Sequence, residues 1–131
     1  MNVLARGVRI ESYGCGRSIY GDKEALRVLL EALAKAADVH SLECHIIDTD
    51  NGVGATLLAK EGICSVLTST KDRYLFIESL FTGIQEEKLG HMLKVFKEQV
   101  QCQTMTHELI ARGVRLGEGD PGACILSERE W

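Results

Sequence analysis

The residues of this chain best suited to chemistry are acids and aromatics set among apolar neighbours. Glu78 lies inside the run YLFIESLF. A carboxylate between Ile77 and Leu80 needs a partner if it is buried. Period-two alternation puts it on one strand face with Tyr74, Phe76, Leu80 and Thr82. Tyr74 offers a hydroxyl to a ligand, and Phe76 an aromatic face. Glu61 stands just before a glycine, and Asp48 and Asp50 stand just before the Asn51-Gly52 pair. Gathered together, Asp48, Asp50, Glu61 and Glu78 would suit a cationic ligand such as an amine or a sulfonium. Each acid also has a plainer role: Glu61 as an edge-strand charge, Asp48 as a strand-end charge, Asp50 in a solvated turn, Glu78 on a solvent-facing sheet surface or a dimer contact. Tyr74 reads equally as a half-buried aromatic.

Thiol and metal chemistry are weakly supported. Cys64 would act as a nucleophile only with a base nearby and a lowered pKa, and His45 is the one histidine whose strand approaches it. Cys44, His45, Asp48 and Asp50 are metal-ligand types without paired ligand spacing. Cys44 and His45, as neighbours on a strand, also point to opposite faces. The expectation is therefore no metal and no cofactor. The five cysteines are odd in number and widely spaced, unlike a secreted disulfide framework. A reducing cytoplasm is the simplest setting.

The elements that must position these residues follow from periodicity. The 131 residues suit one domain with a modest core. A net charge of −4 with scattered basic residues argues against a nucleic-acid surface. No apolar run approaches a membrane span, and MNVLARGVRIES is strand-like with no signal-peptide core. Residues 3–11 read as a strand, followed by a turn at Tyr13-Gly14-Cys15-Gly16. Asp22 reads as an N-cap of a helix to about Ala37, with Leu26, Leu29, Leu30, Leu33, Ala34 and Ala37 on one face. Residues 41–48 read as a strand and Asp50-Asn51-Gly52 as a hairpin turn. Further strands are expected over 54–59, 63–69, 73–81 and 102–109, with a second helix over about 85–100. The expected fold is α+β: a two-layer sandwich, a largely antiparallel sheet with two helices on one face. The domain is expected over residues 1–112, and a C-terminal loop or arm over 113–131.

The stretch GVGATLLAKEGICSVLTSTKDRYLFIESLFTG, from Gly52 to Gly83, resembles the core of the bacterial short-class S-adenosylmethionine decarboxylase proenzymes. Tyr13-Gly14-Cys15 upstream and the helix after Asp22 extend the resemblance over about residues 4–112. It retains Tyr13, Gly14, Cys15, Gly52, Val53, Glu61, Thr68, Tyr74 and Gly83, with Glu78 in place of an Asp. It departs where that family's chemistry lies. The cleavage Ser position holds Gly62, the processing His position Leu67, the catalytic Cys position Thr82, and an assisting Ser position Gly54. The family's aromatics fall on Asp48 and Ser69. A pyruvoyl group forms when a Ser hydroxyl attacks the preceding carbonyl and the resulting ester eliminates; glycine has neither the oxygen nor the β-carbon.

Three functions follow from this resemblance. The first is a relative that binds S-adenosylmethionine, its decarboxylated product or a polyamine, or that pairs with a true decarboxylase subunit and regulates it. The second is an enzyme that acts on S-adenosylmethionine without pyruvoyl, by elimination or internal displacement at the activated sulfonium. Glu61, Glu78, Asp48 and Tyr74 are its candidate groups. The third is a structural or oligomerisation domain. The resemblance implies pairing as a homodimer, with Asp48, Glu61, Tyr74, Phe76 and Glu78 as the candidate ligand-binding set.

Overall fold

The computed structural model describes residues 2–15 and 17–115. The chain runs β1 (Asn2–Tyr13), a 3-10 turn (Arg17–Tyr20), α1 (Lys23–Ala36), β2 (Ser41–Asp48), β3 (Val53–Ala59), β4 (Gly62–Ser69), β5 (Tyr74–Thr82), α2 (Glu86–Gln99) and β6 (Thr104–Arg115). The strands form one six-stranded sheet in the order β2-β3-β4-β5-β1-β6, with every neighbouring pair antiparallel. Both helices lie on one side of it, so the molecule is an α+β sandwich of two layers.

Helix α1 forms where its apolar spacing and its cap coincide. The Asp22 side chain accepts the Ala25 N–H at 3.0 Å, satisfying one of the free donors of the first turn. Leu26, Leu29, Leu30, Leu33, Ala34 and Ala37 are all buried. Each fully buried leucine contributes about 2 kcal/mol. On α2 the same part is played by Leu89, Met92, Phe96 and Val100. They meet Val8, Ile10, Leu57, Cys64, Val66, Leu75, Ile77 and Phe81 from the strands. Replacing Asp22 by Ala is expected to cost about 1 kcal/mol, read as a lower urea midpoint with an unchanged slope.

Strand β2 falls at the expected residues, β3, β4 and β5 differ by a residue at their ends, and β1 begins one residue earlier and ends two later than expected. Strand β6 differs more. It was expected over 102–109, but it begins at Thr104 and runs to Arg115, paired along almost all of β1. Gly113 is accommodated inside the strand at φ +67. Ile110 is buried opposite Gly7. Residues 116–131, most of the expected C-terminal arm, lie outside the described residues.

Candidate functional site

The helix-free face of the sheet is built by alternation. Residues that point away from the helices stand in rows across the strands. One row is apolar: Ile47 faces Gly54, Gly54 faces Leu67, and Leu67 faces Phe76. The next row is polar, through His45, Thr56, Ser65, Glu78, Arg9 and Glu108. Beyond it Leu58, Ile63 and Leu80 form a second apolar row, which Ile110 extends. Ile47 is 63 % exposed, Leu67 48 % and Ile63 40 %. An antiparallel sheet that meets water normally carries polar residues on its outer face. Apolar exposure in rows of this kind departs from that pattern.

Glu78 has the partner that its setting demands. Arg9 Nε donates to Glu78 Oε2 at 2.8 Å, and Arg9 Nη1 donates to Glu108 Oε1 at 2.9 Å. The Glu78 hydrogen bond, ahead of any other influence, holds the Arg9 pKa above its ordinary value. The groups are about a third to three-fifths exposed, so water screens these pairs and they add little to stability. Tyr74 lies at the end of the same face. Its hydroxyl donates to Glu11 Oε1 at 2.9 Å, and its ring centre lies 5.0 Å from that of Tyr13. Partial burial, and then the Glu11 carboxylate, push the Tyr74 pKa up to about 12. The phenol therefore serves as a donor rather than as a base at neutral pH.

The acidic cluster expected from the sequence is not assembled within the single chain. Asp48 lies on the helix side of the edge strand, where Lys23 Nζ donates to it at 2.7 Å. Asp50 is exposed in the β2–β3 turn. Glu61 occupies the β3–β4 turn. Its carboxylate accepts the His40 backbone N–H at 2.9 Å and meets His40 Nδ1 at 2.7 Å. Strand parity separates Asp48 from Glu78, and the turn directs Glu61 toward the α1–β2 connection. Only Tyr74, Phe76 and Glu78 of the candidate set share a surface. Arg9, Glu11 and Glu108 were missed, although Arg9 and Glu11 alternate with the apolar Val8 and Ile10 and so mark the outer face of β1.

The Glu61 backbone carbonyl also accepts the Thr82 N–H at 2.8 Å and the Thr82 hydroxyl at 3.0 Å. A hollow of ≈ 320 Å³ opens here, lined by Asp38, Glu61, Thr82, Gln85 and Lys88 among others. The backbone and side chain of His40 hold the Glu61 pKa below its ordinary value. A depressed carboxylate stabilises the fold above its unfolded pKa and loses that contribution as pH falls through the folded one. Glu61→Gln is therefore expected to weaken the protein at neutral pH and to flatten the fall in stability below about pH 4.5. Urea midpoints across that range read both effects.

Gly62 is the tightest point of the site. It faces Phe81 across the β4–β5 ladder, and a β-carbon placed on it would lie 2.0 Å from the backbone oxygen of Leu80. No side chain fits there unless the two strands separate. Leu67 faces Gly54 at the other end of β4, five residues and roughly 17 Å away at about 3.3 Å per residue. Cys64 is fully buried, and desolvation pushes its thiol up to about 12. His45 lies on the opposite face, beside Glu43 at 2.9 Å, and provides no base for that thiol. Among the described residues no group of three or more His, Cys, Asp or Glu could hold a metal ion. No described helix is long and apolar enough to cross a membrane.

Comparison with known proteins agrees with this architecture. The crystal structure of the adenosylmethionine decarboxylase from Aquifex aeolicus VF5 superposes with a TM-score of 0.79 at 16 % identity, covering 92 % of this chain and 99 % of that one. This likeness concerns the fold. No curated protein sequence matches the chain. Residues 6–113 match the sequence profile of the S-adenosylmethionine decarboxylase family, which is most of the chain. The chain belongs to the S-adenosylmethionine decarboxylase family.

Proposed function

We propose that this protein is a non-processing member of its family, acting by binding and pairing rather than by pyruvoyl chemistry, in S-adenosylmethionine or polyamine metabolism. The observation that carries this reading is Gly62. At the position that the resemblance assigns to cleavage there is no hydroxyl to attack the Glu61 carbonyl, and that carbonyl is already engaged by Thr82. The 2.0 Å approach to the Leu80 oxygen leaves no space for a side chain. The residues present do not fit a pyruvoyl group.

The banded sheet face supports pairing. Two apolar rows about a charged row are self-complementary under a two-fold axis, as a homodimer requires. Such a pairing would also bring the Gly54–Leu67 end of one subunit toward the Gly62–Thr82 end of the other. A small cationic ligand, S-adenosylmethionine or a polyamine, would then be enclosed between Tyr74, Phe76, Glu78 and their symmetry mates. A true decarboxylase subunit carrying the same fold would meet the same face, which is the regulatory form of this reading.

Equilibrium dialysis against S-adenosylmethionine, its decarboxylated form and spermidine tests the binding, alongside co-purification with an active decarboxylase subunit. Saturable retention of one ligand, or a mixed complex, is expected. The reading fails if none is retained and no complex forms. Release of methylthioadenosine during the incubation would replace it with cofactor-free turnover of S-adenosylmethionine.

A further inference from the structure

The β1–β6 ladder points beyond its last pair. Tyr13 faces Thr104, and the two strands run in opposite directions. Cys15 lies two residues beyond Tyr13 and Cys102 two residues before Thr104, and the Gln103 N–H donates to the Tyr13 carbonyl at 3.1 Å, holding the two segments together. Gly14, at φ +66, then turns the chain. Cys15 is buried with its Sγ 3.2 Å from Ser12 Oγ. Cys102 is half-buried and lines an open groove of ≈ 410 Å³ with Lys97, Val100, Gln101, Gln103 and Met105. Burial pushes the Cys102 thiol up, and the adjoining Cys15 adds to the effect.

A disulfide needs β-carbons about 3.5–4.5 Å apart, and the Cys102 side chain lies within hydrogen-bond reach of the Cys15 thiol. The glycine-hinged turn beside Cys15 can supply the remaining approach. Cys44 and Cys64 have no such geometry. Both face Leu57 from opposite sides, so they stand two strand spacings apart, roughly 9.6 Å.

We propose that Cys15 and Cys102 form a redox pair, which closes to a disulfide when the protein meets a hydroperoxide or a small-molecule disulfide. Cys102, opening on the groove, reacts first. Its thiolate attacks the hydroperoxide, the O–O bond breaks, and an alcohol or water leaves with Cys102 as the sulfenic acid. The Cys15 sulfur attacks the Cys102 sulfur, and the thiol proton departs with the hydroxyl as water. Two electrons have then passed from the thiols to the peroxide. With a small disulfide, Cys102 first forms a mixed disulfide and releases one thiol, and attack by Cys15 releases the second. The closed bridge ties the end of β1 to the α2–β6 connection, next to the tilted ring pair of Tyr13 and Tyr74.

The full chain, incubated with graded hydrogen peroxide or oxidised glutathione, is alkylated after unfolding and mapped by peptide mass spectrometry. The expected product is a Cys15–Cys102 link that dithiothreitol reverses. Its formation should accelerate about tenfold per pH unit through neutrality, because the thiolate attacks. The thermal midpoint should rise on oxidation, as the bridge constrains the unfolded chain. Cys124→Ser should leave the link intact. Cys15→Ala should leave Cys102 as the mixed disulfide, a readout that does not require the Cys102 variant to fold. A Cys15 thiol still free once Cys102 is fully oxidised, or a link joining other cysteines, would overturn the proposal.

Discussion

Gly62→Ser leaves the chain uncut and destabilises it by about 3 kcal/mol, the range of a core position forced to accept atoms that it cannot hold. The substitution restores the hydroxyl that self-cleavage needs, so a simple reading of the resemblance would have it rescue processing. The geometry predicts otherwise. A β-carbon at residue 62 would lie 2.0 Å from the Leu80 oxygen, so β4 and β5 must part before the hydroxyl has a place. The Glu61 carbonyl is also fixed by two hydrogen bonds from Thr82, and Leu67 brings no proton carrier. Urea unfolding and denaturing gel electrophoresis of the variant read the two effects separately.

Leu67→Lys is expected to dissociate the proposed dimer while leaving the subunit folded. Leu67 is 48 % exposed in the single chain, so its loss costs the monomer little. In a face-to-face pair it would sit within an apolar row beside Phe76. An unpaired ammonium buried there should weaken association at least a hundredfold, in the range of central interface positions. Sedimentation velocity at micromolar concentration should show the parent chain as a dimer and the variant as a monomer, with superimposable far-ultraviolet spectra. Monomers in both samples would remove pairing from the account.

Much of the fold was legible because its signals are local. The spacing of Leu26, Leu29, Leu30 and Leu33, the Asp22 cap and the Asn51-Gly52 turn each fix geometry within a few residues. The far end of β6 was not legible, because only its pairing with the distant strand β1 carries it past Leu109. The site was less legible than the fold. Glu78 was read as an acid that needs a partner if buried; its partner, Arg9, is adjacent only because β5 pairs with β1 rather than with its next strand in sequence. Asp48 and Glu61 were grouped with it on charge alone. Strand parity placed one behind the sheet, and the β3–β4 turn directed the other toward His40. The tightness at Gly62 also depends on where a neighbouring backbone oxygen lies, which no spacing in the sequence encodes.

The most direct test of the account is the intact mass of the purified protein under denaturing conditions. One uncut chain of 14.4 kDa is predicted, unchanged by prolonged incubation or by S-adenosylmethionine. Two fragments divided between Glu61 and Gly62, or anywhere from there to Ser65, would contradict it and return self-processing to this member of the family.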